Sequence, residues 1–153
     1  MAQRNAEGDT FTSIVIKGMK LTGLLERAGD ILTQTSGQTA ARWKVLGGID
    51  EHSKTVAEIA RSLNLARQGI QRIADALTRD GLTRFIDNPH DRRSYLLTLT
   101  RHGRATLLSI QERQRQWANR VGLQIGKKTL LEIDRALRQL VVALEPGDQQ
   151  QGK

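Results

Sequence analysis

Apolar residues recur at helical spacing from about Phe11 to Thr35, at Ile14, Met19, Leu21, Leu24, Leu25, Ala28, Ile31 and Leu32. That spacing predicts a helix with a wide apolar face. Ser36-Gly37 stops it, and Thr39 is placed to cap a second helix carrying Trp43, Val45, Leu46 and Ile49. Thr55 and Glu58 form a T-x-x-E capping box that opens a third helix with Val56, Ile59, Ala60 and Leu63 inward. Asn64 makes the turn that follows, being among the few residues other than glycine that tolerate a left-handed backbone. A fourth helix, roughly Ala66 to Asp80, turns Ile70, Ile73, Ala74 and Leu77 to one side and Arg67, Gln68, Gln71, Arg72, Asp75 and Arg79 to the other. Gly81 ends it as a C′ glycine.

Past Gly81 the period changes from helix to strand. Leu82 to Ile86 reads as one strand, and Tyr95, Leu97 and Leu99, alternating with Leu96, Thr98 and Thr100, suit a returning one, with Asp87-Asn88-Pro89-His90-Asp91 supplying turn chemistry between them. Thr100 caps a long helix expected to run to about Val121, with Gly122 and Gly126 bracketing a break. A last helix, about Lys127 to Leu144, carries Leu130, Ile133, Leu137, Leu140, Val141 and Leu144, and Pro146 ends it. The pattern thus predicts polar, disordered tails at 1–9 and 146–153, flanking helices over 10–36 and 104–145, and a helix-turn-helix with its hairpin over 37–103. The fold class is mainly α with a small β-wing.

Composition narrows the function. The 153 residues carry a net charge of +8, unevenly spread. Between 55 and 104 there are nine basic side chains, all arginine, against five acidic ones. Arginine pairs bidentately with phosphate and with guanine edges. A helix that fits a major groove, followed by an arginine-rich loop able to reach the next groove, is a reading head for duplex DNA. Cysteine is absent, which excludes disulfides, thiolate metal sites and thiol redox sensing. His52, His90 and His102 form no recognisable ligand set, so neither a metal nor any other cofactor is expected. Phosphate-loop, serine-hydrolase and zinc-peptidase motifs are missing, so the chain does not read as an enzyme. No signal peptide and no apolar run long enough for a membrane span is found, and the default location is the cytoplasm.

The segment Asp91-Arg92-Arg93-Ser94-Tyr95-Leu96-Leu97-Thr98-Leu99-Thr100-Arg101-His102-Gly103 has the pattern D-x-R-x-x-x-L-x-L-T-x-x-G. With the helix-turn-helix before it, a tryptophan in the second helix and two long closing helices, it resembles the MarR family of bacterial transcriptional regulators. The resemblance spans nearly the whole chain, and its specific part is the wing signature. It implies a winged-helix homodimer joined by its first and last helices, with one reading head per major groove. It further implies that Arg93 reaches the adjacent minor groove with Arg92 and His90 beside it, and that Asp91 braces the wing. On the fourth helix, Arg67, Gln68, Gln71 and Arg72 are the expected base and phosphate contacts.

The partner is then double-stranded DNA, as a pseudo-palindromic operator with half-sites about one helical turn apart. The chain reads as a ligand-responsive repressor that sits on the bacterial nucleoid when bound. Trp43 and Trp117 read as core or interface residues. The resemblance also implies a small organic effector, of aromatic type, bound between the flanking helices and the reading head, and Trp43 marks the candidate site. Two other functions fit the same pattern: a winged-helix protein-interaction module, and an architectural protein that binds DNA without sequence preference. Two departures from the family stand out. Ala66 replaces a common Ser or Thr cap. Gly69 sits inside the fourth helix, where it either admits close approach to DNA or is simply tolerated by packing.

Overall fold

The computed structural model describes residues 4–145. It comprises α1 (Ala6–Gln34), α2 (Ala40–Gly48), α3 (Val56–Leu63), α4 (Arg67–Arg79), β1 (Thr83–Asp87), β2 (Tyr95–Leu99), α5 (Arg101–Ile125) and α6 (Lys127–Leu144). These fall into two compact units, one ending at Arg113 and the other beginning at Gln114.

In the first unit the core is a three-helix cluster closed by a hairpin. Val45, Leu46 and Ile49 from α2 and its end meet Val56, Ile59 and Ala60 of α3 and Ile70, Ala74 and Leu77 of α4. Leu82 and Leu97 seal it from the hairpin and Leu107 from α5. Each large side chain removed from water here contributes roughly 1.5–3 kcal/mol. Leu107 brings the first turns of α5 into the same core.

Local chemistry sets the helix ends. Thr39 caps α2 and Thr55 with Glu58 caps α3, as the sequence predicts. Asp30 of α1 adds a carboxylate to the start of α2, its Oδ1 accepting the Ala40 N–H at 2.8 Å. Asn64 is left-handed at φ 52°, ψ 45°, and the Leu65 N–H closes the turn on the Ala60 carbonyl at 2.9 Å. Ala66 gives α4 no side-chain cap. At the far end of α4, Gly81 is at φ 74° and the Leu82 N–H returns to the Leu77 carbonyl at 2.9 Å, a Schellman stop that launches β1. The hairpin is antiparallel, pairing Thr83 with Leu99 through Asp87 with Tyr95.

Two boundaries differ from the pattern-based expectation. α1 starts at Ala6, inside the stretch expected to be a disordered tail. The Asn5 side chain accepts the Gly8 N–H at 2.8 Å, and Glu7 and Asp9 lie in the first turn, where the positive end of the helix dipole favours them. Residues 1–3 of that tail and the expected tail at 146–153 lie outside the described residues. α5 runs through Gly122 to Ile125, so the break falls at Gly126 alone, at φ 88°. One glycine costs a helix only about 1 kcal/mol, which neighbouring turns offset.

The apolar faces of the flanking helices are left uncovered. Ile14, Met19, Leu24, Leu25 and Ile31 of α1 are all exposed, and the residues α1 buries are Gly29 and Thr33 near its C-terminus. In the second unit α6 buries none of its residues, and Leu131, Ile133, Leu137 and Val141 are exposed along it.

Candidate nucleic-acid interface

The second helix of the helix-turn-helix, α4, is 13 residues long, about 20 Å. Its buried stripe of Ile70, Ala74 and Leu77 fixes its rotation. With that stripe seated in the core, Arg67, Gln68 and Arg72 are exposed and Gln71 is half-buried. The amide Nε2 of Gln71 donates to Asp75 Oδ1, one turn on, at 2.8 Å. Gly69 faces open space on the same helix.

The wing tip is the loop Asn88–Ser94. It is closed by its own side chains. Asn88 Oδ1 accepts the His90 N–H at 3.0 Å, and Asp91 Oδ1 accepts the Arg93 N–H at 3.0 Å. Ser94 Oγ donates to Asp91 Oδ2 at 3.0 Å and accepts from Asn88 Nδ2 at 3.0 Å. Asp91 takes part in two of these bonds. Its carboxylate holds the backbone of Arg93 and the hydroxyl of Ser94, and the guanidinium of Arg93 is left to other partners. At its base the hairpin gains a third strand of one residue, Lys54, whose N–H and carbonyl both pair with Leu97.

A groove of about 590 Å³ runs between α3, α4 and the wing. It brings together four of the predicted residues, Arg67, Gln71, Asp91 and Arg93, and adds Thr55, Glu58, Arg61, Phe85, Asn88, Ser94 and Tyr95. Gln68 and Arg72 are on α4 outside the groove lining, and His90 and Arg92 are exposed on the wing tip. Among the described residues no ion pair engages Arg61, Arg67, Arg72, Arg92 or Arg93. Three of them, Arg61, Arg67 and Arg93, line the groove together, an arrangement suited to a polyanion. Glu58, which shares the groove with Asp91, is engaged. Its carboxylate accepts the Thr55 N–H at 2.7 Å and the Thr55 hydroxyl at 2.8 Å. The backbone hydrogen bond, then the hydroxyl, hold it below the usual glutamate value, with Arg61 and Lys54 adding to the effect.

Sequence reasoning missed Arg61, Asn88, Ser94, Lys54 and Tyr95. The D-x-x-S spacing of Asp91 and Ser94 is a usable signal for the self-closed tip, and Arg61 could be found on the polar face of α3 one turn before Asn64. Lys54 carries no such signal, because a single-residue bridge has no period.

Behind the reading head, side-chain clamps hold the first turns of α5. Arg104 Nη1 donates to Asp50 Oδ1 at 2.7 Å and Gln111 Nε2 to Asp50 Oδ2 at 2.9 Å, so Asp50, just past the end of α2, is the hub. Arg113 donates through Nε to the Leu32 carbonyl at 2.9 Å and through Nη2 to Ser36 Oγ, tying α5 to the end of α1. Arg42 of α2 pairs with Asp80 at the end of α4 at 2.5 Å. Trp43 stands apart from the groove. It is half-buried against the core and lines a recess of about 240 Å³ between α1 and α2, with Leu25, Gly29, Ala40 and Lys44. Among the described residues no cluster of three or more histidines, cysteines or carboxylates could hold a metal ion, and no helix is long and apolar enough to cross a membrane.

Comparison with known proteins agrees with this geometry. A MarR family model matches residues 36–94. The uncharacterized protein Rv2011c of Mycobacterium tuberculosis is 36% identical over 137 residues, covering 90% of this chain and 96% of the relative. The transcriptional activatory protein BadR of Rhodopseudomonas palustris is 31% identical over 85 residues, 53% of this chain and 49% of BadR. Among solved structures, the M. tuberculosis transcriptional regulator MosR in complex with DNA superposes with a TM-score of 0.68 at 26% identity, covering 86% of this chain and 98% of MosR. On the family match and on the 36% identity over nearly the whole of a relative, the chain belongs to the MarR family as a winged-helix, DNA-binding transcriptional regulator rather than an enzyme.

Proposed function

We propose that the protein is a homodimeric, ligand-responsive repressor of the cytoplasm that reads a pseudo-palindromic operator. The observation that carries this is the groove in which unpaired Arg67 and Arg93 face the same space from helix and wing. Arg67, Gln68, Gln71 and Arg72 contact bases and phosphates in the major groove, Gln suiting adenine and Arg suiting guanine. Arg93, with Arg92 and His90, enters the adjacent minor groove. Dimerisation is supported by the exposed apolar faces of α1 and α6, since patches of this kind mark interfaces. Two heads related by symmetry then call for half-sites about one helical turn apart.

The effector reading rests on the recess beside Trp43. It lies on α1 and α2, where a bound aromatic compound can bias the spacing of the heads, and Lys44 at its rim suits an anionic one. The ligand shifts operator affinity only by its differential affinity for the two spacings. With no cysteine in the chain, the switch is non-covalent rather than oxidative.

The deciding experiment is a gel shift on the DNA upstream of the protein's own gene, against random competitor and across a salt series. Specific retention, falling with a log–log slope of about −0.9 per phosphate engaged, is expected. Retention without preference would make the protein architectural, and a flat salt response with no retention would make it a protein-interaction module. Light scattering showing a monomer at micromolar concentration would remove the dimer. DNA release is expected with a panel of aromatic acids and not with peroxide or divalent metals, and the reverse would overturn the effector reading. The activatory name of BadR favours a second outcome, activation, which a reporter fusion in a deletion strain separates from repression.

A further inference from the structure

The polar face of α4 carries Arg67, Arg72 and Arg79, with one carboxylate among them, Asp75. Asp75 is exposed and makes no ion pair among the described residues; its partner is Gln71, whose Nε2 donates to it at 2.8 Å. A carboxylate only accepts hydrogen bonds. The amide end of Gln71 must therefore face Asp75, and Oε1 must face away. An untethered glutamine can turn either end of its amide toward a base. The tethered one presents a fixed pair, the Oε1 acceptor and the second Nε2 hydrogen. In the major groove adenine offers the matching N6 donor and N7 acceptor, whereas guanine offers two acceptors, N7 and O6, one of which would face Oε1.

We propose that Asp75 is a specificity-determining positioning residue: it fixes the amide of Gln71 so that α4 accepts adenine and rejects guanine at one base pair, and its charge weakens attachment to phosphate-only, non-operator DNA. The assignment rests on the reading of α4 as the base-contacting helix. An unpaired negative charge on this surface lowers general affinity for a polyanion, and that loss is tolerable only where discrimination is gained. An ordinary i,i+4 helix pair would stabilise the helix slightly and move neither quantity.

The test is selection from a random-sequence duplex library by the full-length protein, followed by binding to the best enriched duplex, to its single base-pair substitutions, and to poly(dI–dC). Wild type is expected to favour adenine over guanine at the Gln71-dependent position by about tenfold, the worth of one bidentate contact. Asp75→Ala is expected to erase that preference and to bind poly(dI–dC) several-fold more tightly. Asp75→Asn keeps an acceptor for Gln71 but loses the charge, so it should retain part of the preference while gaining the non-specific affinity. Gln71→Ala should lose preference at the same base pair, with no further loss in the double variant. Melting by circular dichroism checks each fold, and either Asp75 variant that folds decides the matter. Unchanged preference together with unchanged poly(dI–dC) affinity in that variant would leave Asp75 a helix pair and overturn the assignment. A wild type that enriches no sequence overturns the base-reading interpretation itself, and this assignment falls with it.

Discussion

Gly103 lies against the carbonyl oxygen of Leu82, so close that a Cβ at position 103 would stand 1.8 Å from that oxygen and 2.8 Å from its carbon. Both atoms are backbone and are held in place. The same carbonyl accepts the Thr100 N–H at 3.1 Å, and the Thr100 hydroxyl donates to the Gly81 carbonyl at 2.6 Å while accepting the Gly103 N–H at 3.0 Å. Thr100 and Gly103 together weld the start of α5 to the stop of α4. Gly103→Ala is therefore expected to destabilise the protein by about 3 kcal/mol or more, at the upper end of overpacking effects. Denaturant titration checks this, and a loss under 1 kcal/mol would mean that the weld yields.

Gly69→Ala should act in the opposite sense. Nothing lies within 4 Å of a Cβ built at Gly69, and the position is interior to α4. Alanine is expected to raise stability by about 1 kcal/mol. If Gly69 also lets the helix backbone close on DNA, the same variant will bind DNA more weakly despite being more stable. Thermal unfolding and anisotropy titration of one preparation separate the two effects.

Removing the wing arginine tests the minor-groove contact. Arg93→Ala should weaken operator binding by about 1–3 kcal/mol and leave the circular dichroism unchanged, because only the Arg93 backbone takes part in the tip's hydrogen bonds. Unchanged affinity with an intact fold would take the wing out of DNA recognition.

Acid should loosen the capping box of α3. Glu58 is held below its ordinary value by the Thr55 N–H and then by the Thr55 hydroxyl. A depressed carboxylate contributes stability that is present above its unfolded value and is lost as pH falls through its folded one. Wild type should thus lose stability on the acid side of the ordinary glutamate range, and Glu58→Gln should lose less of it there. Thr55→Ala, which removes the N-cap hydroxyl, is expected to cost about 1 kcal/mol at neutral pH. Melting curves from neutral pH to about pH 3 decide this, and parallel curves for wild type and Glu58→Gln would refute it.

Much of the molecule was legible because its signals are local. Thr39, the Thr55–Glu58 box, Asn64 and Gly81 each mark a helix end with chemistry carried within a few residues, and the structure places them there. The signature ending in Thr100-x-x-Gly103 was legible only as a pattern; its cause, the Leu82 carbonyl, is 21 positions away. The role of Asp50 has no local signal, since Arg104 and Gln111 reach it across 54 and 61 positions and no periodicity encodes that distance. The apolar faces of α1 and α6 were visible as periodicity, but periodicity does not say whether a face is covered within one chain, and here it is not.

The self-closed wing tip sets how the two halves of the surface work together. Asn88, Asp91 and Ser94 order the loop before any partner arrives. The conformational entropy of the tip is given up in folding rather than on docking, so contacts made there register as affinity instead of being consumed by ordering. A stiff tip also has one reach. The hairpin that carries it is anchored to the end of α4 through Gly81 and Thr100, so on the proposed reading a duplex would meet both elements only where its groove spacing matches the interval between them. If the wing docks on DNA as proposed, it acts as a ruler, sensitive to the width and bend of DNA at positions where no side chain touches a base.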